Sequence, residues 1–124
     1  MENNKWFVGI DIGTTATKAV CFTLSSKVIQ EYSKEYLMYH PKANQSTQKP
    51  NEILEAVFEC IQEITKSGKP EFISFSSAMQ SILIIDELGT PLTDAILWAD
   101  NRAHELAVGL KASEQGRSFY SKTG

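Results

Sequence analysis

Trp6 to Ile12 is a short apolar run with β-branched residues, bounded by Gly13, the pattern of a buried strand. Lys18 to Leu24 repeats that pattern after Gly13-Thr14-Thr15. Beyond the polar turn Ser25-Ser26-Lys27, Val28 to Met38 alternates well enough for a third strand. Three consecutive strands with short connections predict an antiparallel meander. Tyr39 to Lys49 is polar, contains Pro41 and reads as a loop. Pro50 then opens the clearest helix, since proline suits a first helical position where its missing N–H would be unpaired anyway. Ile53, Leu54, Val57, Phe58, Ile61 and Ile64 recur at helical spacing as one apolar stripe, and Gly68 between Lys66 and Lys69 supplies a stop. Phe72 to Ser76 and Ser81 to Asp86 are strand candidates, separated from the short apolar stretch Ala95 to Ala99 by a turn at Glu87 to Thr90 and by Pro91. From Asn101 the spacing of Ala103, Leu106, Ala107 and Leu110 predicts a second helix, which Asp100 or Asn101 would cap. A meander followed by a crossover helix is an α/β arrangement with a mixed sheet.

Composition narrows the class. The 124 residues suffice for one domain, and 42% apolar with 22% charged residues is the balance of a globular chain. A net charge of −3, scattered lysines and only two arginines give no reason to expect nucleic acid or an anionic membrane as partner. No apolar run approaches the ~20 residues of a membrane helix. Met1 to Lys5 lacks the pattern of a secretory signal. Cys21 and Cys60 lie in apolar contexts without CxxC spacing and read as reduced core thiols of a cytoplasmic protein. His40 and His104 are isolated and read as surface or satisfied histidines.

The chemistry concentrates in Gly9 to Lys18. Asp11 ends an apolar strand, a costly place for a carboxylate unless it is exposed at a site or paired. Gly13, Thr14 and Thr15 follow at once, and such a turn offers backbone N–H groups and hydroxyls to an anion. A carboxylate beside bound phosphates suits Mg²⁺, which reaches protein through one or two acidic groups. Lys18 adds positive charge near the phosphates or is a solvated strand residue. The plainer reading is that the glycine–threonine turn only closes a hairpin, with Asp11 bonded to it. The Walker pattern is absent, which disfavours an ordinary P-loop enzyme.

Gly9-Ile10-Asp11-Ile12-Gly13-Thr14-Thr15, followed by Thr17-Lys18-Ala19-Val20, resembles the first phosphate loop of the FGGY carbohydrate kinases, which share a fold superfamily with actin, hexokinase and the heat-shock ATPases. Two later stretches narrow the resemblance. Phe75 to Ser81, leading into Ile82 to Asp86, resembles the family's Gly-Gln-Met-His-Gly segment and the strand after it; Ile96 to Arg102 resembles its Trp-x-Asp-x-Arg segment. Tyr120 to Gly124 resembles a further landmark. The resemblance covers nearly the whole chain. It implies an actin-like (ribonuclease-H-like) ATPase domain, with residues 1–124 as the amino-terminal part of the first of two kinase domains.

The resemblance also implies function: ATP-dependent, Mg²⁺-assisted phosphorylation of a sugar or sugar acid hydroxyl. Asp11, Gly13, Thr14, Thr15 and Lys18 would serve the nucleotide phosphates, with Asp11 toward the metal. Met79, Gln80, Trp98, Asp100 and Arg102 would lie at the sugar. Gln80 departs from the family's usual histidine; it keeps a donor and an acceptor but cannot titrate near neutral pH, which bears on substrate preference. Without the resemblance, Met79 and Trp98 read as core residues, Asp100 as a helix cap and Arg102 as a carboxylate's partner. Wording around Met79 and Trp98 is closer to gluconate kinases than to xylulokinases or glycerol kinases. The family's catalytic aspartate, second phosphate loop and adenosine-binding elements come later than these motifs, so no catalytic base is placed here, and the chain alone is expected to be inactive. A piece without its packing partners is expected to expose apolar surface, making a homodimer one expected assembly. The other readings are a non-catalytic nucleotide-binding module of the same superfamily and a small α/β domain whose turn is purely structural.

Overall fold

Each strand of the meander pairs over most of its length, and the chain then adds elements that the pattern reading did not contain. The structure, a computed structural model, describes residues 5–123. Met1 to Asn4, part of the segment read against a secretory signal, and Gly124, the last residue of the Tyr120 to Gly124 landmark, lie outside the described residues. In chain order the elements are β1 (Trp6–Ile12), β2 (Ala16–Thr23), β3 (Val28–Glu35), β4 (Thr47–Gln48), α1 (Pro50–Thr65), β5 (Ile73–Ser77), β6 (Ala95–Ile96), α2 (His104–Ala112) and α3 (Glu114–Thr123).

β1, β2 and β3 form the antiparallel meander, and α1 carries the chain across so that β5 pairs parallel with the other side of β1. The order β3-β2-β1-β5 is a mixed sheet, as expected. Alternation sends Val8 and Ile10 of β1 and Ala19 and Cys21 of β2 to the face covered by α1, where they meet Cys60 and Ile64. Both cysteines are free and buried, and burial pushes both thiols up from their ordinary values. At the edge of this layer the Tyr32 hydroxyl donates to Glu59 at 2.6 Å and Lys34 pairs with the same carboxylate at 2.9 Å. These bonds hold Glu59 below the usual carboxylate range, and donation to Glu59 pushes Tyr32 up to about 12.

Four expectations need correction. First, Leu54 and Phe58 of the α1 stripe are 52% and 54% exposed, because the sheet reaches only the Ala56, Val57, Cys60, Ile64 side of the helix. Second, Ser81 to Asp86 is no strand. Ile82 and Ile85 make isolated bridges to Ile96 and Pro91, forming an exposed arm whose turn is held by the Asp86 carboxylate accepting from the amides of Leu88 and Thr90. The run Ile82 to Ile85 is apolar at every position, and no sheet face covers it. Third, the Tyr39 to Lys49 loop contains β4, buried and paired antiparallel with β6. Fourth, the second helix begins at His104 without a side-chain cap, since its N-cap residue is Ala103. Neither Asp100 nor Asn101 caps it. Beyond these corrections, a separate helix, α3, ends the described chain. Ser113 makes the break: its hydroxyl donates to the Leu110 carbonyl at 2.6 Å and accepts from the Gly116 amide at 3.0 Å. A Cβ on Gly116 would stand 1.9 Å from the Leu110 carbonyl oxygen, so this corner requires glycine.

Ile64→Ala deletes a side chain only 1% exposed at the centre of the helix–sheet layer. It is expected to lower unfolding free energy in urea by about 2–5 kcal/mol, while Leu88→Ala on the exposed arm changes it by no more than ~0.5 kcal/mol.

Candidate functional site

The alternation that buries Ile10 turns Asp11 to the face of the sheet opposite α1, at the carboxyl end of β1. There the Ser76 hydroxyl of the adjacent parallel strand donates to Asp11 Oδ1 at 2.6 Å, and a shallow depression of about 290 Å³ opens beside both residues. Lys18 stands opposite Asp11 in the ladder, but its Nζ pairs with Glu31 of β3 at 2.8 Å. The ammonium is exposed, and its charge is partly compensated by Glu31.

The turn from β1 to β2 is tight. The Gly13 amide donates to the Ala16 carbonyl at 2.9 Å. A Cβ on Gly13 would lie 3.1 Å from that carbonyl oxygen, a close approach that presses on the turn, and 3.6 Å from Asp11 Oδ2, an ordinary contact. Its carbonyl accepts from the Tyr36 hydroxyl at 2.6 Å, the Thr14 carbonyl from Gln48 Nε2 at 2.5 Å, and the Thr15 carbonyl from the Tyr36 amide at 3.1 Å. Tyr36 and Gln48 carry no motif, and the sequence reading passed over both. Ser76 was likewise missed; its role follows from the parallel register alone.

The later motif stretches converge on this turn. The Ala78 amide donates to the Ile12 carbonyl at 2.9 Å, which pins the start of the Met79 segment to the end of β1. Met79 is 80% exposed, and Gln80 sits at φ 64°, a left-handed conformation that is uncommon for a residue other than glycine, asparagine or aspartate. From the other side, Trp98 Nε1 donates to Thr14 Oγ1 at 3.4 Å, with the ring largely exposed. Thr14, within the loop Gly13 to Thr15, thus joins it to the Trp98 segment.

Asp100 has a different position from a free pocket acid. Its Oδ1 accepts from Arg102 Nε at 2.8 Å and from the Arg102 amide at 3.0 Å; its Oδ2 accepts from Arg102 Nη2 at 2.8 Å and from the Ser46 amide at 2.7 Å. The Asp100 side chain is 2% exposed. The forked bond from Arg102, with help from the Ser46 amide, holds the carboxyl well below the usual aspartate range. Asp100 is therefore a tie between the loop before β4 and the segment after β6, reinforced by the Leu97 amide on Ser46 and the Asn101 amide on Asn44.

Residues 6–124 match the N-terminal domain of the FGGY family of carbohydrate kinases. The chain belongs to that family. It is 43% identical over 122 residues to the gluconokinase of Bacillus licheniformis and 46% identical over 122 residues to that of Bacillus subtilis (strain 168), in each case covering 96% of this chain and 24% of the relative. The solved structure of ligand-bound xylulose kinase from Lactobacillus acidophilus superposes with a TM-score of 0.91 at 36% identity, covering 97% of this chain and 25% of that one. This FGGY chain thus has the actin-like ATPase fold of the sugar kinases and spans about a quarter of the length of the relatives it matches.

Asp100→Asn tests the tie. It is expected to lower the melting temperature near neutral pH, because an amide cannot accept four donors. A depressed carboxylate stabilises fully above the unfolded value of about 3.9, and that stability is lost as pH falls through the native value. The wild-type advantage should therefore persist down to about pH 4 and shrink below it, as read by thermal unfolding of both proteins across that range.

Proposed function

We propose that the protein carrying these residues phosphorylates a sugar acid, gluconate, at the expense of ATP. The observation that carries the reading is the meeting of the phosphate-type turn and the Trp98 segment at Thr14. The identity of 43% and 46% to gluconokinases supports gluconate over other sugars.

The residues fit a magnesium nucleotide. Among the described residues, nothing accepts from the amides of Thr14 and Thr15, and the turn holds glycine where a Cβ would stand 3.1 Å from the Ala16 carbonyl oxygen. Donors of that kind are what phosphate oxygens need. Asp11, exposed and oriented by Ser76, supplies the hard oxygen that Mg²⁺ prefers. Mg²⁺, when bound, neutralises charge on the transferring phosphoryl group. Gly13, Thr14 and Thr15 would receive the phosphates; Lys18, tied to Glu31, would contribute through the local field. At the sugar, Trp98 would offer an apolar wall and an N–H, and Met79 and Gln80 would border the hydroxyls. Arg102 would face the substrate with Asp100 holding its guanidinium. Asp100 is a poor general base, since a carboxyl depressed this far has little affinity for a proton. No residue of this chain is assigned as base, and phosphoryl transfer by the 124 residues alone is not expected. Xylulose is the second reading, favoured by the close superposition on xylulose kinase.

Release of ADP by the protein expressed from its full reading frame, with gluconate, xylulose, glycerol and ribulose as acceptors, tests this. Preference for gluconate is the expected result. Turnover of another sugar only would overturn the gluconate assignment, and turnover of none would overturn the kinase reading. Asp11→Asn is expected to lower kcat by roughly 10²–10³-fold, the scale of removing one preorganised electrostatic group, with the Mg²⁺ requirement shifted to higher concentration.

A further inference from the structure

We propose that Tyr36 and Gln48 are positioning residues for nucleotide phosphate: they hold three consecutive carbonyls of the Gly13 to Thr15 turn inward, so that its amides face outward. This rests on the reading of that turn as the phosphate loop.

The geometry is a relay of donors from two distant segments. Tyr36, just past the end of β3, gives its hydroxyl to the Gly13 carbonyl and its amide to the Thr15 carbonyl. Gln48, in β4, gives its side-chain amide to the Thr14 carbonyl between them. In a trans peptide unit the N–H points opposite to the C=O. Fixing the carbonyls of residues 13, 14 and 15 toward Tyr36 and Gln48 therefore directs the N–H groups of residues 14, 15 and 16 away from them. The amides of Thr14 and Thr15 have no acceptor among the described residues, which leaves them available to an anion.

Such a turn needs outside restraint. Gly13 permits either orientation of its neighbouring peptide units, and a flipped unit would present a carbonyl oxygen, a repulsive group, to phosphate. Both restraining residues are suited to constant donation. Gln48 is 2% exposed, so water does not compete for its amide. Tyr36 is half-buried and its phenol is pushed above its ordinary value by that burial, so it stays protonated and donating throughout the neutral range. Gln48 also pairs with Ala95 of β6, two residues before Leu97 and three before Trp98. The strand that braces the phosphate turn is thereby continuous with the segment bearing the indole.

The test uses the protein from the full reading frame with Tyr36→Phe and, separately, Gln48→Glu, which keeps the shape but replaces a donor by an acceptor. Three quantities are read: Kd for Mg-ATP by calorimetry, KM for the sugar, and melting temperature. Tyr36→Phe is expected to weaken Mg-ATP binding roughly 3- to 10-fold, the worth of one hydrogen bond. Gln48→Glu is expected to weaken it more and, by burying a carboxylate without a partner, to lower the melting temperature as well. Tyr36→Phe stays within a few degrees of wild type, and sugar KM is unchanged in both. Unchanged Mg-ATP affinity in both variants of a wild type that binds it would overturn the proposal. Equal loss of nucleotide and sugar affinity together with a lowered melting temperature would also overturn it, as would failure of both variants to fold, because the residues would then be merely structural. A wild type that binds no Mg-ATP would instead overturn the reading of the turn as a phosphate loop.

Discussion

The two-residue alternation of β1 is the constraint on which the rest depends. β1 is flanked on both edges, antiparallel by β2 and parallel by β5, so its register is doubly specified. Val8 and Ile10 must meet α1, and that requirement alone sends Gly9 and Asp11 to the opposite face. A slip of one residue would bury the carboxylate and expose the isoleucine, an exchange that costs several kcal/mol on either count. The acid is thus placed by the hydrophobic core beneath it, not by polar partners of its own. Ser76 then orients it, because the parallel register brings that serine level with Asp11.

Beyond the carboxyl end of β1, hydrogen bonds join the segments alongside the buried Ala95 and Leu97. The turn after Ile12, the Met79 segment, β4 and the Trp98 segment are bound together through main-chain carbonyls and amides, with Asp100 and Gln48 as the buried polar ties. Buried polar groups of this kind specify one arrangement, since each missing partner carries a desolvation cost. A rigid apolar layer therefore supports a polar site layer, and the two meet at Ile12 and Gly13. The departure of Gln80 into the left-handed region falls in the same layer, where strain is often kept for a purpose.

Exposed apolar residues mark the faces that the described chain leaves uncovered. Leu54 and Phe58 on α1, Phe75 on β5, and Ile82 to Ile85 on the arm have no apolar layer over them. These residues do not follow from the alternation of the meander, and each is consistent with a chain spanning about a quarter of the relatives it matches.

The amino-acid sequence by itself determined the meander, α1 and the parallel β5, because those elements carry local signals: β-branched runs, a proline start, a helical stripe. It also marked Asp11 to Thr15 as chemistry, through a charge at a strand end beside glycine and hydroxyls, and the Trp98 to Arg102 segment through its resemblance to the FGGY family alone. Only the tertiary structure decided how these residues are used. That Asp100 is a tie, that Lys18 is engaged by Glu31, and that Tyr36 and Gln48 brace the turn all depend on partners lying 13 to 54 positions away in sequence. β4 was illegible for the same reason, since two polar residues become a strand only when Ala95 and Ile96 arrive to pair with them. Periodicity reports what a residue needs from water and core; hydrogen-bond partners across the chain are set by where the folded backbone brings them, and no local pattern encodes that.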